Sequence, residues 1–313
     1  MKTYKEIIAT VVLTIGGFVT YAQQDPMFTH YMYNTLSINP AYAGSRDALT
    51  VTLLHRSQWV NFKGAPMTET LTMHSPIGNE NIGLGLTVSN DKIGPINNTG
   101  IFADFAYRIK LNQKSKLALG VSAGVNIFQA NLSALSLDQQ ADPSFQNNIA
   151  NRTTPNFGFG VYYSRERFYA GISVPSLLEN RYSKSSLGNG NTIAGKERRH
   201  YYLIAGAMIR INDNLAFKPS ILVKVTAAAP IQADLTASFV MMKILLIGAM
   251  YRTNDSFGVL IGVDIIKQLH LGYSYDYSYG VKTFRYNYGS HEIMLRYDFI
   301  YSSKKQIHSP RYF

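Results

Sequence analysis

The chain has 313 residues, no cysteine, and a net charge of +11 from 30 Lys and Arg against 19 Asp and Glu. The missing cysteines exclude a disulfide scaffold, a thiolate metal site, a thiol nucleophile and a lipid-modified N-terminal cysteine. Only 16% of residues are charged, and 22 Tyr, 16 Phe and 24 Gly accompany a single Trp. That mixture is unusual for a soluble enzyme and suits a transmembrane β-barrel, where lumen-facing residues dilute the apolar ones.

Residues 1–22 have the form of a secretory signal. Lys2 and Lys5 charge its start, Ile7 to Val19 is an apolar run too short to span a bilayer, and Ala22 supplies the small residue at a cleavage site. Residues 23–47 follow as an N-terminal periplasmic or plug-like segment with neither alternation nor a helical stripe. Asp25-Pro26 and Asn39-Pro40 interrupt regular structure. Its many aromatics are unlike a solvated tail, so it packs into the lumen, docks a periplasmic partner, or is a short ordered lead-in. Preceding the first strand, it is expected to start on the periplasmic side. Phe28, Tyr31, Tyr33 and Tyr42 are its candidate partner-binding residues.

From there to residue 300 the pattern alternates with period two over about ten residues, the length of a tilted membrane strand. Leu117, Leu119, Val121, Ala123, Val125 and Ile127 interleave with Ala118, Gly120, Ser122, Gly124 and Asn126. The apolar set is expected to face lipid, and lumen positions such as Ser122 and Ser274 are expected to tolerate a charge. Strands are expected near 48–59, 66–75, 82–91, 97–110, 116–129, 156–164, 167–175, 200–211, 214–226, 231–241, 244–252, 257–266, 269–278 and 290–300. The fold class is thus all-β, a 14-stranded antiparallel transmembrane barrel of the outer membrane. Residues 301–313 form a periplasmic tail. The longest connections, 130–155 and 176–199, and the next longest, 92–96 and 279–289, fall on one side. The tight turns fall on the other, as in barrels with short periplasmic turns and long extracellular loops.

Chemistry-bearing motifs are scarce. There is no GxGxxG, no phosphate-binding loop, no HxxxH or HExxH among seven histidines, and no GxSxG elbow. No cofactor or metal is expected. Gly83-Leu84-Gly85 and Gly158-Phe159-Gly160 lie inside strands and serve as close-packing or bend positions. Asp104, Arg108, Lys218, Lys224, Asp234, Asp264, Asp276, Glu292, Arg296 and Asp298 face inward by parity. They are expected to brace the lumen and hold water or a plug; a catalytic constellation is the alternative. Tyr273, Tyr275, Tyr277, Tyr279, Tyr286 and Tyr288, with Trp59 and Phe62, suit an interfacial aromatic belt. Basic residues are scattered, which argues against nucleic acid and for outer-membrane lipid and lipopolysaccharide phosphates.

Four stretches carry a family resemblance: "QDPMFTHYMYNTLSINPAYAGS" (24–45), "RSQWVNFKGAP" (56–66), "FYAGISVPSLL" (168–178), and "LGYSYDYSYG" with "GSHEIMLRYDF" (271–280 and 289–299). In this order they resemble the PorP/SprF family of type IX secretion proteins across essentially the whole chain after the leader. The resemblance implies a non-enzymatic outer-membrane protein of Bacteroidota. It implies binding of cargo C-terminal domains or periplasmic secretion components, for export or surface attachment. Some members serve gliding-motility adhesins. A passive porin or transporter for small or hydrophobic solutes is the alternative.

Overall fold

The structure, a computed structural model, describes residues 26–78, 81–134, 148–185, 191–227, 229–280 and 285–300. The expected leader (1–22) and tail (301–313) lie outside the described residues. In chain order the strands are β1 (Leu49–Ser57), β2 (Met67–Ile77), β3 (Ile82–Ile93), β4 (Ile96–Lys110), β5 (Ser115–Ala130), β6 (Ile149–Arg165), β7 (Phe168–Val174), β8 (Arg181–Ser185), β9 (Asn191–Lys196), β10 (His200–Ala207), β11 (Ile209–Asn212), β12 (Leu215–Thr226), β13 (Gln232–Met241), β14 (Leu245–Arg252), β15 (Ser256–Ile266), β16 (Leu269–Ser278) and β17 (Ser290–Phe299).

Each barrel strand pairs antiparallel with its sequence neighbours, and β1 closes on β17 in a register from Leu49↔Phe299 to Ser57↔His291. β8 and β9 form a separate hairpin outside the wall. β10 and β11 are two parts of one staggered wall strand, so the closed barrel has 14. The interruption has a local cause. The β10–β12 ladder stops at Gly206↔Ser220 and resumes at Ile209↔Phe217, and the skipped stretch of β12 contains Pro219, which has no N–H to donate. Met208 N–H instead bonds the Arg167 carbonyl on the other side, 2.9 Å away.

Burial is inverted relative to a soluble protein. Along β5, Leu119 and Val121 are exposed, whereas Ala118, Gly120, Ser122 and Asn126 are buried. The same parity exposes Phe105, Phe159, Ile172, Val259 and Ile293. Such an outward apolar band is satisfied by lipid, and the closed ladder leaves no unpaired edge in the bilayer. The hydrophobic core lies inside, where Phe28, Tyr31, Met32, Leu36, Ile38 and Tyr42 pack on wall residues such as Leu54, Tyr162, Tyr169, Ile204, Leu222 and Met294.

Three expectations are corrected. The connection near 92–96 is not long: β3 and β4 run on as a ribbon to a tight turn at Gly94, with φ +55°. The connection at 176–199 is not only loop, since it carries the β8–β9 hairpin. The leading segment does not start at the periplasmic end. Thr29 and His30 lie at the level of Arg56 and Glu292, near the strand ends that lead to extracellular connections. The chain then descends, and Arg46 and Asp47 sit beside Asp298, Arg108 and Lys116 at the periplasmic end.

Two measurements check this arrangement. In the naturally cysteine-free chain, Pro26→Cys should be labelled on intact cells by a polyethylene-glycol maleimide too large for porins, and Asp47→Cys should not; the reverse would invert the path. Val121→Arg should destabilise the barrel in urea by roughly 2–4 kcal/mol if it lies near the midplane. Ser274→Arg should also destabilise it, because Ser274 is fully buried rather than open to a water-filled lumen.

Candidate functional site

The site is the lumen and the segment that fills it. This segment contains two short 3-10 turns, Thr35–Ser37 and Pro40–Tyr42. Asn39 caps the second, its side-chain oxygen accepting from Ala41 N–H at 3.0 Å. The wall makes room for this backbone with a row of minimal side chains across neighbouring strands. Gly83 pairs with Ala106, Ala106 with Gly120, Gly120 with Gly160, and Gly160 with Ser173. A Cβ on Gly83 would clash with the Ala43 carbonyl, on Gly120 with the Ala41 backbone, and on Gly160 with the Asn39 side chain. Gly83, Gly120 and Gly160 are therefore close-approach positions for the plug, whereas Gly158 is closed in by Ser122 and Pro175.

Polar groups fix the segment along its length. Glu292 accepts from Thr29 N–H (2.9 Å) and His30 N–H (2.7 Å), lies 2.8 Å from His30 Nδ1, and pairs with Arg56 at 3.1 Å. Arg56 also pairs with Asp276 at 2.7 Å, and Thr29 Oγ1 donates to the same carboxylate at 2.7 Å. Arg252 grips Asp234 through Nε and Nη2 at 2.8–3.0 Å, and its Nη2 reaches the Phe28 carbonyl at 3.5 Å. All these residues except Phe28, at 7%, are 2% exposed or less. Lower down, Asn34 bonds Thr70 and Thr72, Ser173 donates to the Ile38 carbonyl at 2.6 Å, and Asn39 donates to the Val161 carbonyl. At the periplasmic end Arg108 donates to the Gly44 carbonyl, and Arg46 forks onto Asp298 at 2.9 and 3.2 Å.

The candidate aromatics are all interior. Phe28 and Tyr33 are each 7% exposed, Tyr31 1% and Tyr42 3%. Tyr42 meets Tyr162 edge-on at 5.3 Å, and Tyr33 stacks on His270 at 4.7 Å. Tyr31 Oη lies 3.0 Å from Ser220 Oγ.

The inward acids and bases play separate parts. Asp234, Asp276, Glu292, Asp298 and Arg108 hold the segment, as described. Asp104 accepts from Thr87 at 3.1 Å. Lys218 lies 4.6 Å over the Tyr33 ring, and Lys224 is buried in the wall. Asp264 is a departure, because its side chain is 47% exposed at the periplasmic rim, where it bonds His270 at 2.6 Å. The register slips between Asp264 and Ile266 as β15 ends, which takes the carboxylate out of the closed part of the wall. Arg56, Arg252 and His30, central to the network, were not singled out from the sequence. Strand parity carried the signal for two of them, since Arg56 shares a face with Thr50 and Thr52, and Arg252 with Met250.

Above the plug a cavity of about 340 Å³ opens toward the extracellular loops, lined by Phe28, Leu36, Thr87, Asp104, Asn126 and Tyr202 among others. Glu197 ties down its rim, accepting from Asn126 (2.7 Å), Asn156 (3.1 Å) and Asn180 (2.8 Å). Below the plug a second cavity of about 520 Å³ opens at the periplasmic mouth. The two share no lining residue.

Breaking the network at one partner should be costly. Glu292→Ala leaves Arg56 and two plug N–H groups short of an acceptor, and unfolding in detergent should show a loss of roughly 3–5 kcal/mol. Glu69→Ala removes an exposed partner of His55, at 3.3 Å, and should change stability by less than about 1 kcal/mol. Equal effects would mean that the interior pairs do not hold the plug.

Solved structures similar to this chain are outer-membrane barrels. The CymD monoaromatic hydrocarbon channel is 11% identical with a TM-score of 0.50, covering 90% of this chain and 96% of its own. A Pseudomonas aeruginosa FadL homologue is 12% identical with a TM-score of 0.49, covering 85% of this chain and 94% of its own. The Acinetobacter baumannii outer membrane protein Omp33 is 9% identical with a TM-score of 0.46, covering 82% of this chain and all of its own. At such identity the likeness concerns the fold alone. No curated protein matches the chain. The model of one family, described as type IX secretion system membrane protein PorP/SprF, matches residues 20–297. The chain therefore belongs to the PorP/SprF family of type IX secretion system membrane proteins, and its barrel lies in the outer membrane.

Proposed function

We propose that this chain is a closed, non-enzymatic platform of type IX secretion. It binds cargo C-terminal domains or periplasmic secretion components at its two mouths, for export or surface attachment, and is not a path for solutes. The observation that carries this reading is the plug. Residues 28–43, all but Ser37, are buried against the wall from the level of Glu292 down to that of His74, and the cavities on either side share no lining residue. A solute channel needs a continuous polar path, whereas a docking platform needs fixed, shaped recesses on a rigid wall. Phe28 lines the outer recess and Tyr33 the inner one. In this reading the candidate aromatics act on partners by holding the segment that shapes both recesses, and surface exposure is not required of them.

Planar-bilayer recording tests the reading. The purified protein should show no sustained single-channel current. A variant with Gly120→Leu and Gly160→Leu, which removes the room for Asn39–Ala41, should conduct if its barrel still inserts. Steady current through the unaltered protein would favour the porin alternative.

A further inference from the structure

The periplasmic cavity is lined by five basic side chains, Arg46, Lys218, Lys243, Lys267 and Arg296, against two carboxylates, Asp264 and Asp298. Asp298 is already engaged by Arg46 and by the Thr50 hydroxyl at 2.7 Å. Asp264 is engaged by His270. Arg296 is different. It is 5% exposed, its Nε lies 3.9 Å from Asp298 Oδ2, beyond hydrogen-bond reach, and neither Nε nor Nη1 has a hydrogen-bond partner. The face of Tyr33, with its ring centroid 5.1 Å away, is a weak substitute. A buried guanidinium with unmet donors on the wall of a recess is half of a charge-assisted pair, and the missing half is an anion.

The rest of the lining selects the kind of anion. Met242, Ile244, Ile265 and Ile266 are half or more exposed around the mouth. The volume of about 520 Å³ falls within the usual range of ligand pockets, ~300–1,000 Å³. Tyr33, Lys218 and Arg296 point into the lumen rather than toward lipid, so the recess is entered from the periplasm and not from the leaflet. We propose that this recess binds an acidic peptide segment of a periplasmic partner, one carboxylate seated on Arg296 and flanking apolar side chains on the isoleucine-rich rim. The inference deepens the platform reading by naming the chemistry at its inner mouth. It is tested separately, since conductance decides whether the lumen is closed and peptide binding decides what the recess takes.

The test uses the whole barrel in neutral phosphatidylcholine nanodiscs and a fluorescent hexapeptide of alternating Glu and Leu, with its Gln-for-Glu counterpart as control. The acidic peptide should bind saturably, more weakly as salt rises, and at least tenfold more tightly than the Gln peptide. Arg296→Gln should weaken binding at least tenfold. Lys267→Glu, at an exposed turn position that leaves the interior untouched, should weaken it as well and decides the matter if Arg296→Gln does not fold. Equal binding of both peptides, unchanged binding to folded Arg296→Gln or Lys267→Glu, or displacement of the peptide by phosphatidylglycerol added to the nanodiscs would overturn the proposal.

Discussion

Fourteen strands enclose more room than their inward side chains can fill. An eight-stranded barrel can close its interior with side chains, and barrels of sixteen or more leave an aqueous channel. This chain meets that geometric constraint with its own backbone. Residues 28–43 occupy the lumen, and the wall is shaped for them by the Gly83–Ala106–Gly120–Gly160–Ser173 row. The remaining interior features follow from that choice. Main-chain groups buried inside the barrel need partners, and Glu292, Arg108, Ser173 and the Asn39 side chain supply them. The charges that do so need counter-charges, hence the Arg56–Asp276, Arg252–Asp234 and Arg46–Asp298 pairs.

The direction of the segment has its own consequence. From Pro26 it descends from the outer cavity to the periplasmic end and then enters, at Leu49, strand β1, and β1 pairs with both β2 and β17. Because β1 and β17 form the closing seam, the plug and the seam are joined directly in sequence. Glu292 stands on β17 beside Arg56 on β1, so the contact that fixes Thr29 and His30 also spans the seam. Filling the lumen and closing the wall are therefore energetically linked. The wall is closed, and the cavities on the two sides of the segment share no lining residue.

The barrel was legible because a lipid-facing wall imposes strict parity. Leu119 and Val121 against Gly120 and Ser122 give the strand, its faces and its length at once. Hairpin β8–β9 was not legible, since RYSKS (Arg181–Ser185) and NTIAGK (Asn191–Lys196) form a sheet separate from the wall and carry no apolar alternation in sequence. β3 and β4 run past their expected ends only at Lys92, Ile93 and Ile96, which close the ladder at the Gly94 turn, where parity no longer marks a strand. The aromatic content of the leading segment pointed to packing, but its direction depends on pairings with Glu292 and Asp276, hundreds of residues away. Arg296 shows the same limit. Parity places it inside, yet only the arrangement of Arg46, Asp298 and Tyr33 around it reveals that its donors are unmet.

Amide hydrogen exchange of the purified barrel, followed by mass spectrometry of the peptide spanning 28–43, tests the plugged-lumen account most directly. If this segment is bound to the wall as a structural part of the barrel, Thr29, His30, Ala41 and Ala43 should be protected as strongly as β1 and β17, and Glu292→Ala should reduce that protection first at Thr29 and His30. Exchange over 28–43 as fast as in the exposed turn at Gln113 would contradict it.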